Sequence, residues 1–104
     1  MEQRVPRYPF SAPAEVVVEE SGAKIVARVT ELSLQDVIWT PAPLSAETPI
    51  LLKIYGSEYF EADAMVIYAH PVLGMGIAFR HVNLACQGAL HRWLLAAMQT
   101  KESE

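Results

Sequence analysis

One stretch limits the fold more than any other. From residue 59 to 70 the side chains alternate, with Phe60, Ala62, Ala64, Val66 and Tyr68 on one side and Glu61 and Asp63 on the other. A period of two places successive side chains on opposite faces of an extended strand. The stretch is expected to be the longest strand of the protein, with one face buried and Glu61 and Asp63 turned to solvent. That placement argues against reading the two carboxylates as an acid–base pair.

The same period recurs on both sides of it. Strands are expected over 14–20, centred on Val16-Val17-Val18, and over 24–32, where Ile25, Ala27 and Val29 share a face. Ser21-Gly22 supplies the turn between them, so the two should form a hairpin. Further strands are expected over 37–40, 50–55 and 75–82. Pro41, Pro43 and Pro49 mark a loop without periodicity, Gly56-Ser57 ends one strand, and Gly74 and Gly76 flank a tight bend. After Asn83, a plausible N-cap, the period changes to 3.6. Cys86, Leu90, Trp93, Leu94 and Ala97 recur on one helical face over 83–100. Gly88 weakens that helix by roughly 1 kcal/mol relative to alanine, so packing must hold it.

Six strands joined by short turns and followed by one helix predict an all-β fold. The architecture is a six-stranded antiparallel barrel, closed or nearly so, with the C-terminal α-helix plugging one end through Trp93 and Leu94. Closure removes the exposed edges that a sheet with so few charges would otherwise present. The 104 residues suffice for one domain. It is read as 14–100, preceded by an N-terminal arm over 1–13 in which Pro6, Pro9 and Pro13 favour extended chain.

Composition excludes several function classes. The formal net charge is −4, which argues against binding DNA or RNA through its phosphates, although a small anion can bind where arginines cluster. Cys86 is the one cysteine, so no internal disulfide can form, as suits a reducing compartment. Its place on the apolar helical face reads as core rather than nucleophile. The N-terminus has no apolar run behind it, and no stretch approaches the ~18 apolar residues of a membrane span. The expected location is the cytoplasm. There is no glycine-rich phosphate loop, no Gly-x-Ser-x-Gly elbow and no His-Glu-x-x-His. The histidines at 70, 81 and 91 do not have metal-ligand spacing. No cofactor, metal or catalytic set is expected, and the protein is read as a non-enzyme.

What remains is a short basic arm, Gln3-Arg4-Val5-Pro6-Arg7, and a polar turn, Glu31-Leu32-Ser33-Leu34-Gln35-Asp36, running on to Trp39. Together with Pro43-Leu44, the strand Gly74-Met75-Gly76-Ile77-Ala78-Phe79 and the helical run 90–95, their order resembles the PilZ domain along essentially the whole chain. The resemblance implies a bacterial signalling module that binds cyclic di-GMP and passes the signal to motility, adhesion or polysaccharide machinery through a protein partner.

The family's binding signature is R-x-x-x-R followed by D/N-x-S-x-x-G. By resemblance, Arg4 and Arg7 would clamp phosphate and guanine, while Glu31 and Ser33 would bond a guanine edge. Three positions depart from the signature: Gln3 stands for arginine, Glu31 for aspartate or asparagine, and Asp36 for glycine. Gln3 replaces a two-point fork by one neutral bond. Glu31 keeps an acceptor on a longer arm. Asp36 brings a negative charge toward two phosphates, and at about 6 Å such a repulsion is roughly 1–3 kcal/mol. The alternative implied by these departures is a degenerate PilZ domain that binds no nucleotide and acts as a protein–protein interaction module. Its surface would then lie near Trp39, Tyr55 or Tyr59.

Overall fold

A computed structural model describes residues 6–40, 44–72 and 74–102. The strands are β1 (Tyr8–Val18), β2 (Lys24–Leu32), β3 (Asp36–Thr40), β4 (Pro49–Tyr55), β5 (Tyr59–His70) and β6 (Gly74–Val82), followed by helix α1 (Leu84–Glu102). All pairings are antiparallel, and the order β1-β2-β3-β6-β5-β4 closes on itself as a barrel. The expected all-β barrel with one C-terminal helix is the observed architecture.

The alternation of each strand fills the interior. Val16, Val29, Leu32, Val37, Ile50, Leu52, Ile54, Phe60, Val66, Met75 and Ile77 are all fully buried. Burial of each such side chain stabilises the fold by about 1.5–3 kcal/mol. Helix α1 closes one end by packing on β5 and β1. Its Cys86, Leu90, Trp93 and Leu94 join the barrel core. The Trp93 ring lies 5.0 Å from Phe10 and 6.0 Å from Phe60, centroid to centroid, and its indole N–H donates to Ser57 Oγ at 3.0 Å. Asn83 caps the helix as expected, its Oδ1 accepting from the Cys86 amide at 2.9 Å.

Two features depart from the sequence reading. First, β1 begins at Tyr8, not at residue 14, so residues 8–13 are ladder and not free arm. Prolines 9 and 13 are tolerated because this half of β1 pairs with β2 alone. Pairing with β4 starts only at Ala14, opposite Ile54. A proline on a one-sided strand gives up no ladder bond on its open side. A bulge between Pro9 and Ala12 absorbs the irregularity.

Second, Tyr68 does not lie on the buried face of β5. Val66 pairs with Ile77 and Tyr68 pairs with Gly76, so β5 advances two residues while β6 advances one. This bulge reverses the facing of everything beyond it. Tyr68 therefore stands on the outer wall, and Ile67 is left exposed.

Candidate functional site

The turn between β2 and β3 is built by one hydroxyl. Leu32 pairs with Val37, which leaves Ser33, Leu34, Gln35 and Asp36 to reverse the chain. Ser33 Oγ accepts from the amides of Gln35 and Asp36, both at 3.0 Å, and donates to Asp36 Oδ1 at 2.6 Å. The Ser33 amide donates to the Asp36 carbonyl at 2.9 Å, and the Phe79 amide of β6 donates to the Gln35 carbonyl at 2.8 Å. Ser33 is fully buried, as the one polar residue in the described interior. A short polar side chain that satisfies its own turn explains why serine is suited to this position.

Asp36 opens β3 and carries the turn's charge to the outer wall. Val37 points into the core, so its neighbours Asp36 and Ile38 point away from it. Arg7, the residue before β1, grips this carboxylate with both arms of its fork. Its Nε donates to Oδ1 at 3.2 Å and its Nη2 to Oδ2 at 2.9 Å. Such two-point pairs are the strong form of ionic hydrogen bond. The Asp36 bond raises the Arg7 pKa above its ordinary value against an opposing effect of burial, with Tyr68 and Glu31 adding to the field. The guanidinium is thus permanently charged.

Beside this pair the register lays out a row across the barrel wall. Pro9 faces Glu31, Glu31 faces Ile38, Ile38 faces Gly76, and Gly76 faces Tyr68. Glu31 is exposed, and Ile38 is buried without belonging to the core cluster. The Tyr68 ring lies over Gly76. The result is a wall with a cationic fork, a carboxylate, an apolar floor and an aromatic ring. Its residue types are those that suit an anion and a flat ring system, although Asp36 already holds the Nε–Nη2 edge of the fork. It offers no nucleophile–base pair.

Of the residues expected at a site, Arg7, Ser33 and Asp36 come together, with Glu31 on the adjoining strand position. Gln3 and Arg4 lie outside the described residues. Sequence reasoning missed Tyr68 and Ile38. The strand pattern put Tyr68 inside, and nothing in it marks the bulge except the glycine at 76 that the ring covers. Immediately beyond Arg7 and Ser33 lies an apolar groove of about 500 Å³, lined by Pro6, Tyr8, Leu34, Leu94, Leu95 and Met98 among others. Leu34 and Leu95 are exposed there.

The other sequence candidates fall apart in space. Tyr59 O–H donates to Glu61 Oε1, and the Glu61 amide donates to Cys86 Sγ at 3.4 Å. Asp63 faces His81 across β5 and β6. Among the described residues, no group of three or more His, Cys, Asp or Glu is placed to hold a metal ion. No described helix is long and apolar enough to cross a membrane. Tyr55 and Tyr59 form an exposed pair with ring centroids 5.6 Å apart. Trp39 pairs with Met75 through its backbone, and its side chain lies outside what the structure describes.

The described residues thus form a closed six-stranded antiparallel barrel with a C-terminal helix and the Arg7–Asp36 pair at its β2–β3 turn. No family model matches the chain, and no curated protein matches it in sequence. Solved structures do match. The PilZ domain of CeSA from a cellulose-synthesizing bacterium superposes with a TM-score of 0.68 at 20% identity, over 92% of this chain and 98% of that one. The PilZ domain of YcgR from Escherichia coli, solved with c-di-GMP, gives a TM-score of 0.71 at 13% identity, over 99% and 96% of the two chains. The Bacillus subtilis inhibitor of motility MotI/DgrA gives 0.75 at 15% identity, over 97% of this chain and 53% of that longer one. The chain has the PilZ-domain fold.

Proposed function

We propose that this protein is a non-catalytic cyclic di-GMP receptor or adaptor of the PilZ type, acting in bacterial second-messenger signalling from the cytoplasm. The observation that carries the reading is the Arg7 guanidinium seated on the Ser33–Asp36 turn of a PilZ-fold barrel. In this reading Arg7, with Arg4 from the preceding arm, takes phosphate and a guanine edge. Glu31 accepts from guanine N–H groups, and Ser33 shapes the turn against which the ligand rests. Ligand binding reorders the approach to β1 and changes the surface shown to a protein partner.

Calorimetric titration with cyclic di-GMP at low and physiological salt tests this. The expected result is salt-sensitive binding in the micromolar range that Arg7→Ala abolishes. Undiminished binding by Arg7→Ala would remove Arg7 from the site.

A second reading is favoured by a specific observation: the Arg7 fork and the Ser33 hydroxyl are both already engaged by Asp36. Here the barrel binds no nucleotide and works as a protein-interaction module. The apolar groove beside Leu34 and Leu95, or the exposed Tyr55–Tyr59 pair, would then meet the partner. The same titration separates the two, since absence of heat at either salt selects the second.

A further inference from the structure

We infer that Asp36 is an intramolecular competitor for the anion site, and that its carboxylate sets the concentration at which the site fills. This deepens the receptor reading and rests on it for the identity of the ligand.

Three observations converge. The carboxylate occupies one of the two-point grips that a guanidinium offers to a phosphate, the Nε–Nη2 edge of Arg7. A phosphate cannot take the same grip until Asp36 lets go. The same carboxylate also accepts a hydrogen bond from the Ser33 hydroxyl, whose acceptor capacity is used by the Gln35 and Asp36 amides. Finally, the Asp36 backbone is fixed by its pairing with Ala78 and by the Ser33 amide bond to its carbonyl. Opening therefore asks only for rotation of one side chain, not for refolding of the turn.

The exchange has a direction. In the closed state the charges of Arg7 and Asp36 cancel. After a phosphate enters, the displaced carboxylate stays nearby as a like charge. Apparent affinity is then the intrinsic affinity multiplied by the fraction of molecules with Asp36 swung away. Neutralising Asp36 without changing its shape weakens the ionic grip on Arg7 and raises that fraction.

The test uses the whole chain, two probes and NMR detection of the arginine Nε–H groups. Inorganic pyrophosphate tests the competition, and cyclic di-GMP tests the nucleotide reading. Asp36→Asn keeps an acceptor for Ser33 and removes the charge. It is expected to bind pyrophosphate roughly 10- to 100-fold more tightly than the native chain, with a shift at Arg7 Nε–H. Adding Arg7→Gln should cancel the gain. Asp36→Gly, read the same way, covers the case in which Asp36→Asn does not fold. In the native chain the Arg7 Nε–H should also exchange more slowly than that of exposed Arg80.

Equal pyrophosphate affinity for Asp36→Asn and the native chain, or fast exchange at Arg7, overturns the competition whatever cyclic di-GMP does. A gain with pyrophosphate, with no binding of cyclic di-GMP by either chain, upholds the competition and ends the nucleotide reading. A parallel gain with both upholds both.

Discussion

The ring of Tyr68 covers Gly76 so closely that a methyl group added at residue 76 would lie 2.2 Å from Tyr68 Cε2. The contact exists because the β5 bulge turns Tyr68 outward, opposite Gly76 on β6. It seals the wall beside the Arg7–Asp36 pair. Gly76→Ala should therefore destabilise the fold by roughly 1–3 kcal/mol through overpacking, measured by urea unfolding. Combining it with Tyr68→Ala should recover part of that loss. A single variant as stable as the native chain would show that the ring moves aside without cost.

Ser33 is the hinge of the turn. Ser33→Ala leaves the part-buried Gln35 and Asp36 amides without their acceptor. The expected loss is roughly 1–3 kcal/mol, with the Arg7–Asp36 geometry loosened at the same time. Unfolding curves measure the first, and the Arg7 Nε–H resonance reports the second. Unchanged stability would mean that water replaces the hydroxyl.

Trp93 joins the helix to the barrel by packing and by one hydrogen bond. Trp93→Ala should cost about 3–5 kcal/mol. Trp93→Phe retains much of the contact with Phe10 and Phe60 but drops the bond to Ser57, so it should cost distinctly less. If the two variants were equally damaging, the hydrogen bond and not the packing would dominate.

Glu58 and Arg92 tie the β4–β5 turn to α1, with Arg92 Nε donating to Glu58 Oε2 at 2.6 Å. The Arg92 hydrogen bond holds the Glu58 carboxyl below its ordinary value of 4.5, with burial opposing. A group depressed in the folded state stabilises the fold above its unfolded pKa. That contribution is lost as pH falls through the lower, folded pKa. Carbon-13 titration should find Glu58 below 4.5, and Arg92→Ala should return it toward that value. An unshifted Glu58 in the native chain would mean that solvent screens the pair entirely.

The strands over 24–32, 50–55 and 59–70 and the helix after Asn83 were legible because each carries its own period, and period is a local property of the chain. Antiparallel closure followed from short turns and the lack of charge to protect an edge. The candidate site was legible in part. Arg7, Ser33 and Asp36 stand out as polar residues at turns and arms, and the resemblance to PilZ domains grouped them.

The sequence determined the number and order of the strands, the closing helix and most of the buried faces. Tertiary structure decided the rest. β1 could start at Tyr8 because its first half has a neighbour on one side only, which lets Pro9 and Pro13 into the ladder. Tyr68 went outward because one unpaired residue in β5 reverses facing. Arg7 met Asp36, 29 positions away in the chain, because the entries to β1 and β3 both pair with the end of β2, Tyr8 and Val37 each lying opposite Leu32. Attraction between opposite charges depends on distance in space, and periodicity along the chain does not contain that distance.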